Sequence, residues 1–291
     1  MQNIIEVNQL KKSFGKHHVL NDLSFTIEKG SVVGILGSNG AGKTTLLQTL
    51  IGLHLADSGN IKLLGETVPD LSSQTKQKIG YVSQESELLS WMSVQQLIDY
   101  TQSFYPQWNS SLVDFLLNDW QLDRRSKVHK LSTGQQQKLA IIMAIAPEPD
   151  LLILDEPVAS LDPTTRRKFI KTLLELNTNE QQTVLFSTHI TSDLERVAAK
   201  VLLIKDGQCY FYGEIDDLKE RIVKLHITSS QPLPHELAIP GTLNITLTQN
   251  QATVTVEDIR EINLEELSKR LTANIRLELL SLDDIFVELH L

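Results

Sequence analysis

Along the first two thirds of the chain, short apolar runs alternate with stretches in which apolar positions recur every three or four residues. Residues 4–10 and 23–27 alternate in polarity and read as strands, joined across a polar stretch that contains Phe14-Gly15. Residues 31–36 form an apolar run that stops at a glycine-rich segment, and residues 43–53 then read as a helix. Residues 97–122 have helical spacing, with Leu112, Phe115, Leu116 and Trp120 apolar, and 132–146 reads as a helix packing on the core. Residues 151–154 are apolar throughout, as in a strand buried on both faces. A helix over 169–176, a strand over 183–187, a helix over 193–199 and a strand over 201–205 complete the series. Strands alternating with helices predict a parallel sheet covered on both faces.

The pattern changes after about Leu218. Residues 221–228 read as a strand, 243–257 as a hairpin turning near Asn250-Gln251, 264–271 as a helix, 274–279 as a strand and 282–289 as a closing helix. The proline-containing stretch 229–241 reads as a loop. The expected division is therefore a domain over 1–218 followed by a small α+β domain over 219–291. No internal repeat or heptad run is visible, which argues against a repeat array or a long coiled coil.

Composition narrows the possibilities. Of the 291 residues, 41% are hydrophobic and 22% charged, ordinary for a chain that buries a core. Lys and Arg number 27 against 36 Asp and Glu, a net charge of −9, which disfavours broad binding to nucleic acid. Cys209 is the single cysteine, so neither an internal disulfide nor a cysteine-based zinc cluster is expected. No apolar run approaches the roughly 18–20 residues of a membrane span, and the first seven residues show no secretory pattern. The expected protein is soluble and sits in a reducing compartment.

The chemistry begins at Gly37-Ser38-Asn39-Gly40-Ala41-Gly42-Lys43-Thr44, which fits G-x-x-x-x-G-K-[ST] between an expected strand and an expected helix. Small residues let successive backbone N–H groups turn inward around a phosphate, and the helix N-terminus adds its positive end. Lys43 is expected to bridge the β- and γ-phosphates of ATP, the Thr44 hydroxyl to ligate Mg²⁺, and Thr45 to reach the α-phosphate. The second element is the apolar strand that ends in Asp155-Glu156-Pro157. Asp155 is placed to hold Mg²⁺ through water, and Glu156 to polarise the water that attacks the γ-phosphate. Carboxylates after a buried strand can simply mark the return to solvent; the phosphate loop upstream is what favours chemistry.

Between these elements lies Leu131-Ser132-Thr133-Gly134-Gln135-Gln136-Gln137-Lys138, and after them Ser160-Leu161-Asp162 and Thr188-His189. In that order the motifs resemble the ATP-binding-cassette (ABC) ATPases, over roughly residues 4–213. The resemblance implies a P-loop α/β core, a mixed sheet with helices plus a helical lobe. It implies that Ser132, Gly134 and Gln135 cap ATP bound to an opposite subunit, although Thr133 stands where the family usually has glycine. It makes Gln84 the glutamine that touches Mg²⁺ and the transmembrane partner. His189 becomes the switch histidine that contacts the γ-phosphate and positions Glu156, and Phe14 the aromatic stacked on adenine. Asp162 falls in the loop that couples the two sites of a dimer.

The resemblance also implies partners. One chain carries one phosphate loop and one signature, so composite sites need a second ATPase subunit, identical or different. Transport needs a separate integral membrane permease, which would hold the chain peripherally on the cytoplasmic face. Phe104-Tyr105-Pro106-Gln107-Trp108 and the terminal Leu282-Asp283-Asp284-Ile285-Phe286-Val287-Glu288-Leu289 look like export cassettes. An import ATPase working with a substrate-binding protein, and a non-transport ABC protein acting on nucleic acid or ribosomes, stand as alternatives. The acidic balance disfavours the last. Leu88-Leu89-Ser90-Trp91-Met92, after Gln84, is unusually apolar for a loop and is expected either to dock the permease or to pack into the helical lobe.

Overall fold

Strands β1 (Asn3–Phe14) and β2 (His17–Glu28) form an antiparallel hairpin that turns at Gly15-Lys16. The strands expected at 4–10 and 23–27 are its alternating inner parts, and the ladder runs on to Phe14 opposite His17. β3 (Val32–Leu36) then leads into the glycine-rich segment and helix α1 (Lys43–Leu50). β4 (Ser58–Leu63), β5 (Glu66–Thr67), α2 (Ser73–Gln77) and β6 (Ile79–Val82) follow. Next come α3 (Val94–Gln102), α4 (Ser110–Asp119), α5 (Thr133–Ile145) and β7 (Leu151–Leu154). The series closes with α6 (Pro163–Leu176), β8 (Thr183–Ser187), α7 (Thr191–Val197), β9 (Lys200–Lys205) and β10 (Gln208–Glu214). This computed structural model describes residues 2–85, 87–176, 182–234 and 236–290, and the chain divides into the units Met1–Tyr212 and Gly213–Leu291.

The first unit holds an antiparallel sheet, in the order β2-β1-β4-β5, and a six-stranded sheet, in the order β10-β9-β3-β8-β7-β6. Within the second sheet, β9, β3, β8, β7 and β6 run parallel, as the strand-helix alternation predicts. Its central strands are buried throughout, which explains their unbroken apolar sequence. One core cluster joins Ile5, Leu23 and Ile27 of the antiparallel sheet to Leu46, Leu47 and Leu50 of α1 and to Ile35, Ile153 and Leu185 of the parallel sheet. Helix α1 is thus anchored on its apolar side, and the loop before it is held with it.

The single helical stretch expected over 97–122 is two helices. Pro106 lacks a donor and disfavours helix in the residue before it, and Asn109 starts α4 afresh by accepting the Leu112 N–H at 2.9 Å. Helix α6 begins at Pro163, earlier than the pattern at 169–176 indicates.

In the second unit, α8 (Ile215–Arg221) precedes β11 (Val223–Ser229), so Arg221 ends a helix instead of opening a strand. β12 (Thr242–Leu247) and β13 (Gln251–Val256) form the expected hairpin. α9 (Leu264–Leu271), β14 (Ala273–Leu279) and α10 (Leu282–His290) complete an antiparallel sheet of order β12-β13-β11-β14 with its helices. Within the stretch expected as a loop over 229–241, Ser229 belongs to β11 and His235 lies outside the described residues.

Candidate functional site

The parallel register brings the motifs together. Ile35 of β3 pairs with Ser187 of β8, Leu154 of β7 with Phe186 of β8, and Val82 of β6 with Leu154. The C-terminal ends of four neighbouring strands therefore lie along one sheet edge. From them emerge the glycine-rich loop, Asp155-Glu156, Thr188-His189 and Gln84, the usual place for a ligand in a parallel sheet. A cavity of about 570 Å³ opens there, lined by Asn39, Gly40, Gly42, Lys43, Thr44, Thr45, Gln84, Glu156 and His189, and also by His17 and Val19.

Gly42 caps α1 with φ of +99°, and a Cβ there would come within 2.9 Å of Leu20 and 3.1 Å of the Val19 carbonyl. Only glycine both turns the chain there and lets β2 lie against it. Lys43 is buried, with Nζ donating to the carbonyls of Gly37 (2.8 Å) and Ser38 (3.2 Å). An ammonium has three hydrogens, so the loop leaves one free to face the cavity. Burial pulls the Lys43 ammonium below the usual lysine range, while the Glu156 and Asp155 carboxylates oppose that shift.

Glu156 adopts φ of +47°, a left-handed conformation uncommon outside glycine. Two long-range contacts hold it there. Its N–H donates to Ser187 Oγ at 2.8 Å, and its Oε2 lies 2.8 Å from His189 Nδ1. An ionised carboxylate only accepts, so Nδ1 carries the hydrogen of that bond. Oε1, 4.0 Å from Lys43 Nζ, remains for another donor.

Ser187 also donates to Asp155 Oδ1 at 2.7 Å, so one hydroxyl fixes both acidic residues. Asp155 is fully buried, and its Oδ2 has no hydrogen-bond partner among the described residues. A buried carboxylate oxygen left bare is costly unless a cation or water covers it. Thr44 and Gln84 line the cavity and Asp155 lies outside its lining; a hydroxyl, an amide oxygen and a carboxylate oxygen form an all-oxygen set, which suits Mg²⁺.

The other expected site residues lie away from the cavity wall. Ser132 and Gln135 cap α5 reciprocally, Ser132 Oγ accepting from Gln135 N–H at 3.3 Å and Gln135 Oε1 from Ser132 N–H at 3.0 Å. A Cβ on Gly134 would stand 2.8 Å from the Ser160 carbonyl, so the segment that carries Asp162 packs against the α5 start only because that residue is glycine. Asp162 accepts from the Thr165 hydroxyl at 2.5 Å and from the N–H groups of Thr164 and Thr165. Those bonds, the Thr165 hydroxyl first, hold its carboxyl below the usual range.

Phe14 is 46% exposed at the hairpin turn, edge-on to His54 at 5.2 Å with Lys12 Nζ 5.1 Å from its ring centre. It is no core residue, and it pairs with His17, which lines the cavity. Met92 is buried, whereas Trp91 is 66% exposed. Sequence reasoning missed His17, Val19 and Ser187. Only the serine ending a buried strand, one residue before Thr188-His189, offered a signal.

Three comparisons bear on this arrangement. The sequence pattern of the family described as "ABC transporter" matches residues 20–159. The chain is 36% identical over 209 residues to the Nod factor export ATP-binding protein I of Burkholderia lata, covering 70% of this chain and 68% of that one. It is 29% identical over 247 residues to the phosphonates import ATP-binding protein PhnC of Fusobacterium nucleatum, covering 79% of this chain and all of that one. A solved structure of the ATP binding subunit of an ABC transporter superposes with a TM-score of 0.69 at 26% identity, covering 74% of this chain and 92% of that one.

Proposed function

We propose, from the premise that this chain belongs to the ABC transporter family and is an ATP-binding, ATP-hydrolysing member of it, that Glu156 performs the hydrolysis and that the energy drives export through a separate membrane permease. The observation that carries the catalytic part is the Glu156–His189 pair, closed at 2.8 Å at the mouth of the glycine-rich loop. In this reading the backbone N–H groups of Asn39, Gly40 and Gly42 to Thr44 and the remaining Lys43 hydrogen hold the β- and γ-phosphates, the Ala41 N–H being used on the Ser38 carbonyl at 3.1 Å, and Thr45 reaches the α-phosphate. Because His189 occupies Oε2, Glu156 Oε1 receives a hydrogen from the attacking water. The water oxygen bonds to the γ-phosphorus, the bond to the β-phosphate oxygen breaks, and ADP and phosphate leave. Thr44, Gln84 and Asp155 would hold Mg²⁺, which when bound neutralises charge on the phosphates.

Phe14 is the adenine platform in this reading: it is partly exposed, and its neighbour His17 lines the cavity. Phe14→Ala should weaken ATP binding about two- to tenfold, the range of one aromatic stack, with the melting temperature unchanged. Titration with a fluorescent nucleotide checks this, and an unchanged affinity removes Phe14 from the site.

Ser132, Gly134, Gln135 and Asp162 belong to the reading as the surface offered to a second ATPase subunit, whose nucleotide the α5 start would cap. The permease side rests on the exposed Trp91 beside the buried Met92, because an exposed tryptophan anchored by a buried neighbour suits a partner helix. No described helix is long and apolar enough to cross a membrane, so transport requires that partner. Trp91→Ala should keep the basal ATPase rate but lose stimulation by the permease. Normal stimulation would exclude the docking role.

Export is supported by the 36% identity to the Nod factor export protein. The decisive experiment is to purify the tagged chain from membranes and identify what accompanies it. An integral membrane protein that stimulates hydrolysis supports the reading. Recovery with ribosomes or nucleic acid would overturn it, and dependence on a substrate-binding protein would reverse its direction to import.

A further inference from the structure

The last strand of the second unit is an open edge. β14 ends the sheet β12-β13-β11-β14, and among the described residues it pairs only with β11. Its register places Ile275, Leu277 and Leu279 opposite Ile227, Leu225 and Val223, which are core residues of that unit. The same side of β14 nevertheless reaches solvent, with Leu277 37% and Leu279 68% exposed. A bare edge with apolar side chains is a template for another strand, and proteins usually blunt one with charge, proline or a bulge.

Here the charges on the strand do not repel a second copy; they match it. Between the apolar residues sit Arg276 and Glu278, one of each sign, in the pattern apolar, positive, apolar, negative, apolar. If two such strands run antiparallel with Leu277 opposite Leu277 of the other copy, Arg276 falls opposite Glu278 and Glu278 opposite Arg276. Ile275 then meets Leu279 on the core side. Moving the axis to Arg276 or to Glu278 sets like charges face to face, a one-residue slip turns the apolar stripe outward, and a parallel in-register pair stacks Arg276 on itself. Arg276 has no ion-pair partner among the described residues, and Glu278 bonds His226 through one of its two oxygens.

We propose that β14 is a self-association edge, through which two copies of this chain join their second units into one continuous antiparallel sheet about a two-fold axis at Leu277. The partner is a second copy, because the five-residue pattern is complementary to its own reverse, as an isologous contact requires. The surface uses no residue of the ATP site, and its failure would leave the ATPase reading intact. A seven-residue strand is a small interface, so the association is concentration-dependent.

The test uses the full chain without nucleotide, so that association driven by ATP does not contribute. Sedimentation over a concentration series should show a monomer–dimer equilibrium. Arg276→Glu and Glu278→Arg should each weaken it about tenfold by creating two like-charge pairs, and the double reversal should restore it. In a Cys209→Ser background, Leu277→Cys should form a disulfide-linked dimer under mild oxidant while Leu279→Cys, which faces Ile275 of the other copy, should not. A wild-type chain that stays monomeric throughout, single reversals with no effect, or cross-linking by Leu279→Cys but not Leu277→Cys would each overturn the proposal. Far-ultraviolet circular dichroism and cooperative thermal unfolding of the same variants check that they are folded.

Discussion

Glu156→Gln should slow ATP hydrolysis by about a hundredfold or more while leaving ATP bound. The amide keeps the length of the side chain and an oxygen that can accept the His189 Nδ1 hydrogen, so the 2.8 Å contact has a substitute. What it loses is the ability to take a proton, and a positioned general base is worth roughly 10²–10⁴ in rate. The backbone at Glu156 is set by its N–H bond to Ser187, which the substitution does not touch. Single-turnover hydrolysis and nucleotide binding, measured on one preparation, check both halves. Retained turnover, with the permease present if activity requires it, would remove Glu156 from the reaction and return it to a hydrogen-bonding role beside His189.

Lys43→Ala should act one step earlier, on affinity. The substitution removes the buried ammonium that bridges the loop carbonyls of Gly37 and Ser38 and faces Glu156 at 4.0 Å. A charge-assisted hydrogen bond in such a place contributes about 1.5–3 kcal/mol, so ATP binding should weaken about ten- to a hundredfold, and hydrolysis should fall with it. A ligand that binds only the folded state raises its melting temperature. The wild-type rise with ATP should therefore disappear in the variant, while the nucleotide-free protein still unfolds cooperatively. A variant that keeps the full ATP-dependent rise would show that the phosphates are held by the backbone N–H groups alone. The two substitutions separate two tasks: Glu156→Gln binds but turns over slowly, and Lys43→Ala binds weakly.

Much of the candidate site was readable without coordinates, because its signals are local. A loop of small residues between an apolar run and a helix is the pattern expected of a phosphate cradle, and the structure puts that loop between β3 and α1 with Gly42 at the helix cap and Lys43 folded back on it. Strand identity was equally plain where burial on both faces demands unbroken apolar sequence, as in β7 and β8. The errors fell where local propensity competes with a chain break. Around Pro106 one helical pattern became two helices, and Arg221 was pulled into α8 by the acidic first turn of that helix and its own place in the last one.

Local pattern was enough for the set of parts: a glycine-rich loop, an acidic strand end, a histidine after a strand, and the α/β alternation that makes them neighbours of a sheet. How they meet depends on the order of the strands in the folded sheet. Glu156 and His189 are 33 residues apart, and Asp155 and Ser187 are 32 apart; their contact depends on β8 lying between β3 and β7, an order that no local periodicity encodes. The left-handed backbone of Glu156 and the bare oxygen of Asp155 belong to that arrangement, and the cavity wall supplied by His17 and Val19 comes from β2 of the other sheet. Tertiary packing also sets the difference between Trp91 and Met92, adjacent and both apolar, of which one is buried and one stands in solvent. Hydrophobic pattern selects which residues can be buried, but which of two candidates is buried depends on the surface that arrives to cover it, and that surface comes from distant parts of the chain.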